Sequence, residues 1–342
     1  MFKEIMKQGY IHVLLVMLVL GGGFLSTGCE DEMTPEEKKA REQRYFDLYM
    51  ASNFGDYDVE ETESGLRYIE IAPGNMDSVP AREDWIKLNY VGYLIPGEEV
   101  VDTYLKHVAI DHGIYSNGAM YGPFKMMNGF KAEGLTEGLT KMGARGKAIL
   151  CFTSDLGFGE QGVQLMQTVP SYASMKYEVE LLEVIGEDIE TYEHNNLLRY
   201  KDSIPGVLSV TDSATEVVLY YVKDKKTIGN PVAADSVVQI AYKGYLFDGR
   251  VFDQSEEGSP YEFTVDDTNA DESPIAGWHL GVKQFLEGEE GRLIIPYELA
   301  YGEYGRLSNN YVAIPPYENL VFEIKVVSVE SGESDTDSDE NL

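Results

Sequence analysis

The feature that most constrains this chain is an internal duplication of its strand-forming segments. The first copy contains residues 89–94 (NYVGYL), a Pro-Gly turn and then Val101-Asp102. The second contains residues 241–246 (AYKGYL), an Asp248-Gly249 turn and then Phe252-Asp253. Asp-Gly between two such runs is a strong hairpin signal. The duplication therefore predicts two domains that share one strand-rich fold.

Helical patterns separate the two copies. Residues 35–52 are rich in Glu, Lys, Arg, Leu and Tyr at helical spacing, and residues 187–203 are similar. Alternating apolar segments follow, from Leu66 and from Val217, and alternation is typical of strands. We predict a tether and helix over 29–53, a first domain over 54–186, a linker helix over 187–212 and a second domain over 213–330. The Ser/Asp/Glu-rich tail over 331–342 is predicted to be disordered.

The N-terminus has the pattern of an exported protein. Lys3 and Lys7 precede an apolar run, 11–20, that is too short to span a bilayer but has the length of a signal-peptide core. Residues 26–29 (STGC) resemble a bacterial lipobox, although Ser26 stands where Leu is usual. We expect residues 1–28 to be a lipoprotein signal peptide and Cys29 to carry the lipid that anchors the chain to a membrane. An ordinary secretory signal is the alternative.

Acidic residues follow the cysteine directly, at 30–32 (EDE). This run resembles the surface-export signal of some Bacteroidetes-type lipoproteins, and a solvated tether is the plainer interpretation. We expect an outer-membrane lipoprotein that faces either the periplasm or the cell surface.

The charge of the chain argues against a nucleic-acid-binding protein, and its cysteine content argues against a disulfide-bonded one. The 342-residue chain has 59 acidic and 27 basic residues, a formal net charge of -32, so binding to nucleic acid is not expected. If Cys29 carries lipid, Cys151 has no cysteine left for an intrachain disulfide. Cys151 lies in an apolar run and is predicted to be a buried strand residue.

Residues 231–330 carry a series of short motifs in a characteristic order. These are Tyr242-Lys243-Gly244, Asp248–Asp253, Pro260–Phe263, Ile275–Trp278, Gly281-Val282, Gly288-Glu289, Leu299–Gly302, Ile314–Pro316 and Leu320–Phe322. The series resembles FKBP-type peptidyl-prolyl cis-trans isomerases. The resemblance implies an α+β fold of two FKBP-like domains, each an antiparallel β-sheet wrapped around a short α-helix, which in the second domain starts near Gly277.

The resemblance also implies a proline-binding pocket in the second domain. Its catalytic residues would be Tyr242, Asp253 and Tyr301, and its substrate-binding residues Phe252, Tyr261, Ile275, Trp278, Ile314 and Phe322. Trp278 would form the floor, Tyr301 would place its hydroxyl on the substrate carbonyl, and Asp253 would sit at the rim. The backbone amide of Ile314 could also contact the ligand. Pro274 and Asn310 depart from the usual family pattern.

Such residues suit the chemistry of proline isomerisation. An X-Pro bond is held planar by a barrier of roughly 18–20 kcal/mol, and exchange takes tens to hundreds of seconds. Twisting reduces the charge separation of the amide, so a dry aromatic pocket favours the transition state. The reaction needs no nucleophile, metal or cofactor, and its partners would be proline-containing polypeptides.

The first domain has the same pattern in eroded form. Val101 stands where the pocket Phe is expected, Leu135 replaces the floor Trp, and Phe158 replaces the Tyr. We expect little or no isomerase activity from it. Three interpretations stay open: an isomerase that assists folding of exported proteins at the cell envelope, a non-catalytic peptide- or protein-binding surface lipoprotein, and an accessory lipoprotein in motility or nutrient uptake.

Two other patterns in the sequence do not indicate a binding site. Residues 157–162 (GFGEQG) match G-x-G-x-x-G, but neither a long helix nor a βαβ unit follows, so dinucleotide binding is not expected. His107 and His112 lack the spacing of paired metal ligands, so no metal site is predicted.

Overall fold

A computed structural model describes residues 33–269, 273–308 and 311–331. The chain divides into two units, one of residues up to Asn117 together with Tyr121–Glu187, the other of Gly118–Met120 together with the chain from Asp188 onward. The predicted signal peptide, Cys29, Asn310 and the acidic tail after 331 lie outside the described residues.

The first unit is built on a seven-stranded antiparallel sheet. Its strand order is β1-β2-β6-β9-β3-β4, and β5 pairs with β3; β7 and β8 form a separate hairpin. The elements are α1 (Pro35–Phe54), β1 (Glu60–Glu61), β2 (Arg67–Ala72), β3 (Trp85–Leu94), β4 (Val100–Thr103), α2 (Lys106–Asp111), β5 (Phe124–Met127), α3 (Glu133–Leu139), β6 (Lys147–Phe152), β7 (Val163–Gln164), β8 (Thr168–Val169) and β9 (Met175–Gly186).

The second unit repeats this arrangement strand for strand. Its sheet has the order β10-β11-β15-β18-β12-β13, and β14 pairs with β12. Strands β16 and β17 form a separate hairpin. The elements are α4 (Ile189–Asp202), β10 (Leu208–Thr211), β11 (Val218–Lys225), β12 (Val237–Leu246), β13 (Val251–Gln254), β14 (Tyr261–Thr264), α5 (Ala276–Val282), β15 (Glu290–Ile295), β16 (Arg306–Ser308), β17 (Tyr311–Ile314) and β18 (Leu320–Glu330); short 3₁₀ turns cover Tyr297–Leu299 and Gly302–Tyr304.

The duplication extends to the register of the strands. In the first unit Gly92 lies opposite Asp102, and a bulge follows. In the second, Gly244 lies opposite Asp253, and a bulge follows at the same place. A bulge adds twist and redirects the neighbouring side chains. The aspartate beside the bulge therefore has the equivalent position within each unit. The predicted fold class, two α+β domains with antiparallel sheets, is confirmed.

Each unit packs one short helix against its sheet through glycines. A Cβ atom on Gly134 of α3 would overlap the ring of Phe152, and one on Gly277 of α5 would overlap Ile295. Only glycine allows the helix to approach the strand so closely. Helix α5 starts at Ala276, one residue before the position predicted for it.

The two predicted flanking helices are also present, as α1 and α4. Helix α1 begins with a capping box: the side chain of Thr34 accepts a hydrogen bond from the backbone N–H of Glu37, and the side chain of Glu37 accepts one from the backbone N–H of Thr34. Its Phe46 and Tyr49 share a buried cluster with Cys151 of β6, which is fully buried as predicted. Burial raises the pKa of the Cys151 thiol well above its ordinary value, so this thiol stays protonated.

Within the described part of the chain, every helix is too short or too polar to cross a membrane.

Candidate functional site

The centre of the site is Trp278, which α5 places beneath the second sheet. Only 3% of this residue is exposed. The rings of Tyr242 and Phe322 meet it edge-on, with centroids at 5.0 Å and 5.1 Å and interplanar angles of 85° and 88°. Edge-to-face contacts are a favourable arrangement for aromatic pairs. They hold the indole in one orientation.

Further aromatic side chains surround this floor. Tyr261 lies 5.9 Å from Trp278, and Phe252 lies 5.4 Å from Phe322, again edge-on. The structure brings the predicted pocket residues together: Trp278, Ile314 and Phe322 belong to the buried core, and Tyr242, Phe252, Tyr261, Ile275 and Tyr301 pack against it partly exposed. This half-buried ring of side chains offers an apolar surface that opens to solvent.

A hydrogen bond fixes the rim of the cluster. The Tyr242 hydroxyl donates to Asp253 Oδ2 at 2.9 Å, and the backbone N–H of Gln254 donates to Asp253 Oδ1 at 2.9 Å. Burial, followed by the bond to Asp253, raises the pKa of Tyr242 above its ordinary value. Tyr242 therefore stays a neutral donor, and Asp253 holds its ring in place.

Tyr301 lies between the two 3₁₀ turns, and a residue that sequence reasoning missed contacts it. Arg306 Nη1 donates to the Tyr301 hydroxyl at 3.5 Å, and the guanidinium lies over the Tyr301 ring, 5.7 Å from its centroid. Arg306 reaches it because the β16–β17 hairpin places it opposite Ile314. No motif in the sequence signalled this contact, which depends on the turn.

Phe263 is a second residue that sequence reasoning left out of the pocket. Its ring centroid lies 5.8 Å from Trp278, and the side chain is buried. Strand alternation could have found it, because residues two apart in a strand, here Tyr261 and Phe263, face the same side.

The equivalent place in the first unit holds an ion pair. Lys131 Nζ lies 2.6 Å from Asp102 Oδ2, with side-chain exposures of 10% and 3%. The same ammonium lies 5.0 Å from the centroid of Tyr90 and 5.6 Å from that of Phe124. Lys131 immediately precedes the N-cap of α3, as Pro274 precedes that of α5. A cation thus occupies the surroundings of Asp102, where the second unit has an aromatic pocket.

The floor of the first unit also differs. Leu135 of α3 and Val101 of β4 are fully buried. Tyr177 lies opposite Gly92, as Phe322 lies opposite Gly244. The Tyr177 hydroxyl is buried and has no hydrogen-bond partner among the described residues. Tyr90 donates to Asp102 at 3.1 Å, as Tyr242 does to Asp253. The first unit therefore keeps the tyrosine–aspartate hydrogen bond, but buried core side chains fill the space that corresponds to the pocket of the second unit.

No three of the described His, Cys, Asp and Glu side chains are grouped so that they could hold a metal ion.

Comparison with known proteins gives the family. The family profile described as FKBP-type peptidyl-prolyl cis-trans isomerase matches residues 77–182 and 229–327. The chain is 33% identical over 141 residues to "FKBP-type peptidyl-prolyl cis-trans isomerase FkpA" of Buchnera aphidicola, covering 40% of this chain and 51% of the relative. It is 38% identical over 101 residues to "Macrophage infectivity potentiator" of Trypanosoma cruzi, covering 29% and 46%. The chain therefore spans about half the length of these curated relatives.

Among solved structures, a peptidyl-prolyl cis-trans isomerase from Pseudomonas syringae matches with 30% identity and a TM-score of 0.34, covering 41% of this chain and 92% of that one. The two segments matched by the family profile, one in each unit, together make up more than half of the 342 residues. This chain belongs to the FKBP-type peptidyl-prolyl cis-trans isomerase family.

Proposed function

We propose that the second unit catalyses cis-trans isomerisation of X-Pro bonds in polypeptides, assisting the folding of exported proteins. The observation that carries this proposal is the orientation of Trp278, held edge-on by Tyr242 and Phe322. Such a floor presents an apolar face on which a proline ring can lie. Family membership supports the same reaction.

The pocket acts on the amide by its environment. The planar amide is more polar than the twisted one, so transfer from water to an apolar surface destabilises the ground state more than the transition state. Trp278, Phe252 and Phe322 supply that surface. The Tyr301 hydroxyl donates to the substrate carbonyl next to the twisting bond. A barrier lowered by ~4 kcal/mol gives roughly a thousandfold acceleration.

The second unit is proposed to work without covalent chemistry. Asp253 keeps Tyr242 oriented through the 2.9 Å hydrogen bond and takes no proton from the substrate. Since the bond order of one amide is all that changes, positioning and exclusion of water suffice.

The first unit is assigned a non-catalytic role, the holding of polypeptide clients or partners. Its support is the ion pair of Lys131 with Asp102, which places a charged group where an isomerase needs an apolar one. Leu135, which replaces the indole of the pocket floor, also supports a non-catalytic role.

Anchoring of the chain by lipid at Cys29, at the outer membrane, is also proposed, on the strength of the N-terminal pattern alone. Several acyl chains on one cysteine give stable attachment to a bilayer. Radiolabelled fatty acid should be incorporated by the wild type and lost in Cys29→Ala. Equal labelling of the two proteins would rule the anchor out.

The isomerase itself is tested with the full chain in a proline-limited refolding reaction. Catalytic amounts of wild type should accelerate the slow phase, and Trp278→Ala should lose most of that acceleration because water enters the pocket floor. Circular dichroism and urea unfolding establish that the variant is folded. A folded wild type that leaves the slow phase unchanged would refute the isomerase.

A further inference from the structure

Arg306 places a positive charge beside the hydroxyl that is proposed to meet the substrate. The guanidinium donates to Tyr301 Oη at 3.5 Å while its carbon lies 5.7 Å from the centre of the same ring. Because Tyr301 Oη accepts this bond, its own proton is left to point away from Arg306. The guanidinium therefore lies within one side-chain length of any group bound at the Tyr301 hydroxyl.

The charge of Arg306 is not neutralised within the described part of the protein. Several other cations of the second unit have carboxylate partners, among them Lys223 with Glu289, Lys283 with Asp266 and Arg292 with Asp224. No described carboxylate pairs with Arg306, which is exposed. Glu303, three residues earlier, accepts from the Tyr317 hydroxyl at 3.3 Å.

Arg306, which has no carboxylate partner among the described residues, belongs to a chain with a net charge of -32. The overall field repels acidic peptides, but beyond about 8 Å it is largely screened at about 0.15 M salt. A contact at hydrogen-bond distance is screened much less. At physiological salt, a bound peptide is therefore affected mainly by charged groups close to the pocket and little by the net charge of the chain.

We propose that Arg306 is a specificity-determining residue that selects clients with an acidic side chain directly before the proline. The inference rests on the isomerase proposed above and adds its substrate class. With Tyr301 Oη on the carbonyl of the residue before proline, the side chain of that residue lies near the guanidinium. A Glu carboxylate is long enough, and has the right geometry, to accept hydrogen bonds from the N–H groups of the guanidinium.

The test compares two peptides that differ in one group, Ala-Glu-Pro-Phe and Ala-Gln-Pro-Phe. Their cis-trans exchange, catalysed by the full chain at about 0.15 M salt, is followed by NMR exchange spectroscopy, which needs no coupling protease. An exposed ion pair of this kind favours the Glu peptide by about two- to fivefold in kcat/KM. At about 1 M salt, where the screening length is about 3 Å, the ratio should fall toward one.

Three variants separate the charge from other roles of Arg306. Arg306→Gln should abolish the preference, and Arg306→Lys should retain most of it, because the charge remains. Lys243→Gln is the matched control: Lys243 is also exposed, and it neighbours Tyr242 on β12 but faces the opposite side of the strand. It should leave the Glu/Gln ratio at the wild-type value.

The possible results are distinct. A ratio above one that disappears in Arg306→Gln and persists in Lys243→Gln supports the inference. An active wild type that does not prefer the Glu peptide, or an Arg306→Gln variant with an unchanged ratio, overturns it while leaving the isomerase intact. A wild type that accelerates neither peptide refutes the proposed function, and the inference falls with it.

Discussion

The Tyr301 hydroxyl is a single polar group at the edge of an apolar pocket, and its loss is expected to cost little. Tyr301→Phe removes one neutral hydrogen bond and almost no volume. Such a bond contributes about 0.5–1.5 kcal/mol, so kcat/KM on a short proline peptide should fall about two- to tenfold. Exchange spectroscopy measures the rate, and urea unfolding should show nearly unchanged stability. A loss of a hundredfold or more would mean that the hydroxyl does more than donate one bond.

Tyr177 offers the opposite case, a hydroxyl that the fold does not use. It is fully buried without a described partner, and burial raises the pKa of this phenol well above its ordinary value. The equivalent position of the second unit is Phe322. Since an unsatisfied buried hydroxyl costs about 1–3 kcal/mol, Tyr177→Phe should leave the full chain equally or more stable in urea unfolding.

Tyr90→Phe is the control for that experiment, because Tyr90 donates to Asp102 at 3.1 Å. It should destabilise the protein. If Tyr177→Phe costs as much as Tyr90→Phe, the Tyr177 hydroxyl has a partner, such as a buried water.

At the scale of elements, α1 is attached to the first unit by buried polar contacts as well as by Phe46. Glu42 accepts from the Ser154 and Ser174 hydroxyls at 2.7 Å and 2.8 Å. Tyr49 donates to Glu98 at 2.5 Å, and Lys176 pairs with the same carboxylate at 2.9 Å. These bonds join the helix to three loops, at Glu98, Ser154 and Ser174, and Lys176 of β9 supports the first of them through Glu98.

The Glu98 contacts predict how acid acts on this helix. Burial alone would raise the pKa of Glu98, but Lys176 and the Tyr49 hydroxyl outweigh it and hold the pKa below its ordinary 4.5. A depressed folded-state pKa stabilises the fold above the ordinary value, and that contribution is lost as the pH falls through the folded pKa. The urea midpoint of the full chain should therefore fall below about pH 4.5, with amide exchange in α1 accelerating first.

Glu98→Gln keeps the shape of the carboxylate without its charge. This variant should be less stable than wild type at neutral pH, and its stability should depend less steeply on acid. If the acid profiles of the two proteins coincide, Glu98 does not carry the effect.

The sequence predicted these elements better than it predicted their contacts. Alternation, the Asp-Gly turn and helical spacing depend on neighbouring residues, so the duplicated strands and both flanking helices were recognisable. The family motifs pointed to Trp278 and its aromatic neighbours, which the structure places together. Lys131 and Arg306 could not be found in this way, because a long charged side chain reaches its partner through loop geometry that local pattern does not encode.

Considered as a whole, the molecule uses one fold twice and changes the surroundings of one aspartate. Asp102 and Asp253 lie opposite equivalent glycines, and each accepts a tyrosine hydroxyl. Asp102 is 2% exposed and paired with Lys131, whereas Asp253 is exposed and has no ion pair within the described residues. The aspartate at this position is part of a buried ion pair in one unit and is proposed to orient the pocket residue Tyr242 in the other.

This divergence makes a paired prediction for the full chain. Asp102→Ala leaves the Lys131 ammonium buried without a partner, and breaking a buried ion pair in this way costs about 3–5 kcal/mol. The unfolding of the first unit should shift to lower urea, while kcat/KM on a proline peptide measured under native conditions stays near wild type. Asp253→Ala should do the reverse: its exposed carboxylate adds little stability, but Tyr242 loses the group that orients it, and the rate should fall by about tenfold, the effect of one to two lost hydrogen bonds. Urea unfolding and exchange spectroscopy on the same two samples decide the matter. If Asp102→Ala lowers the rate as much as Asp253→Ala does, both units contribute to catalysis and the division of labour between them is wrong.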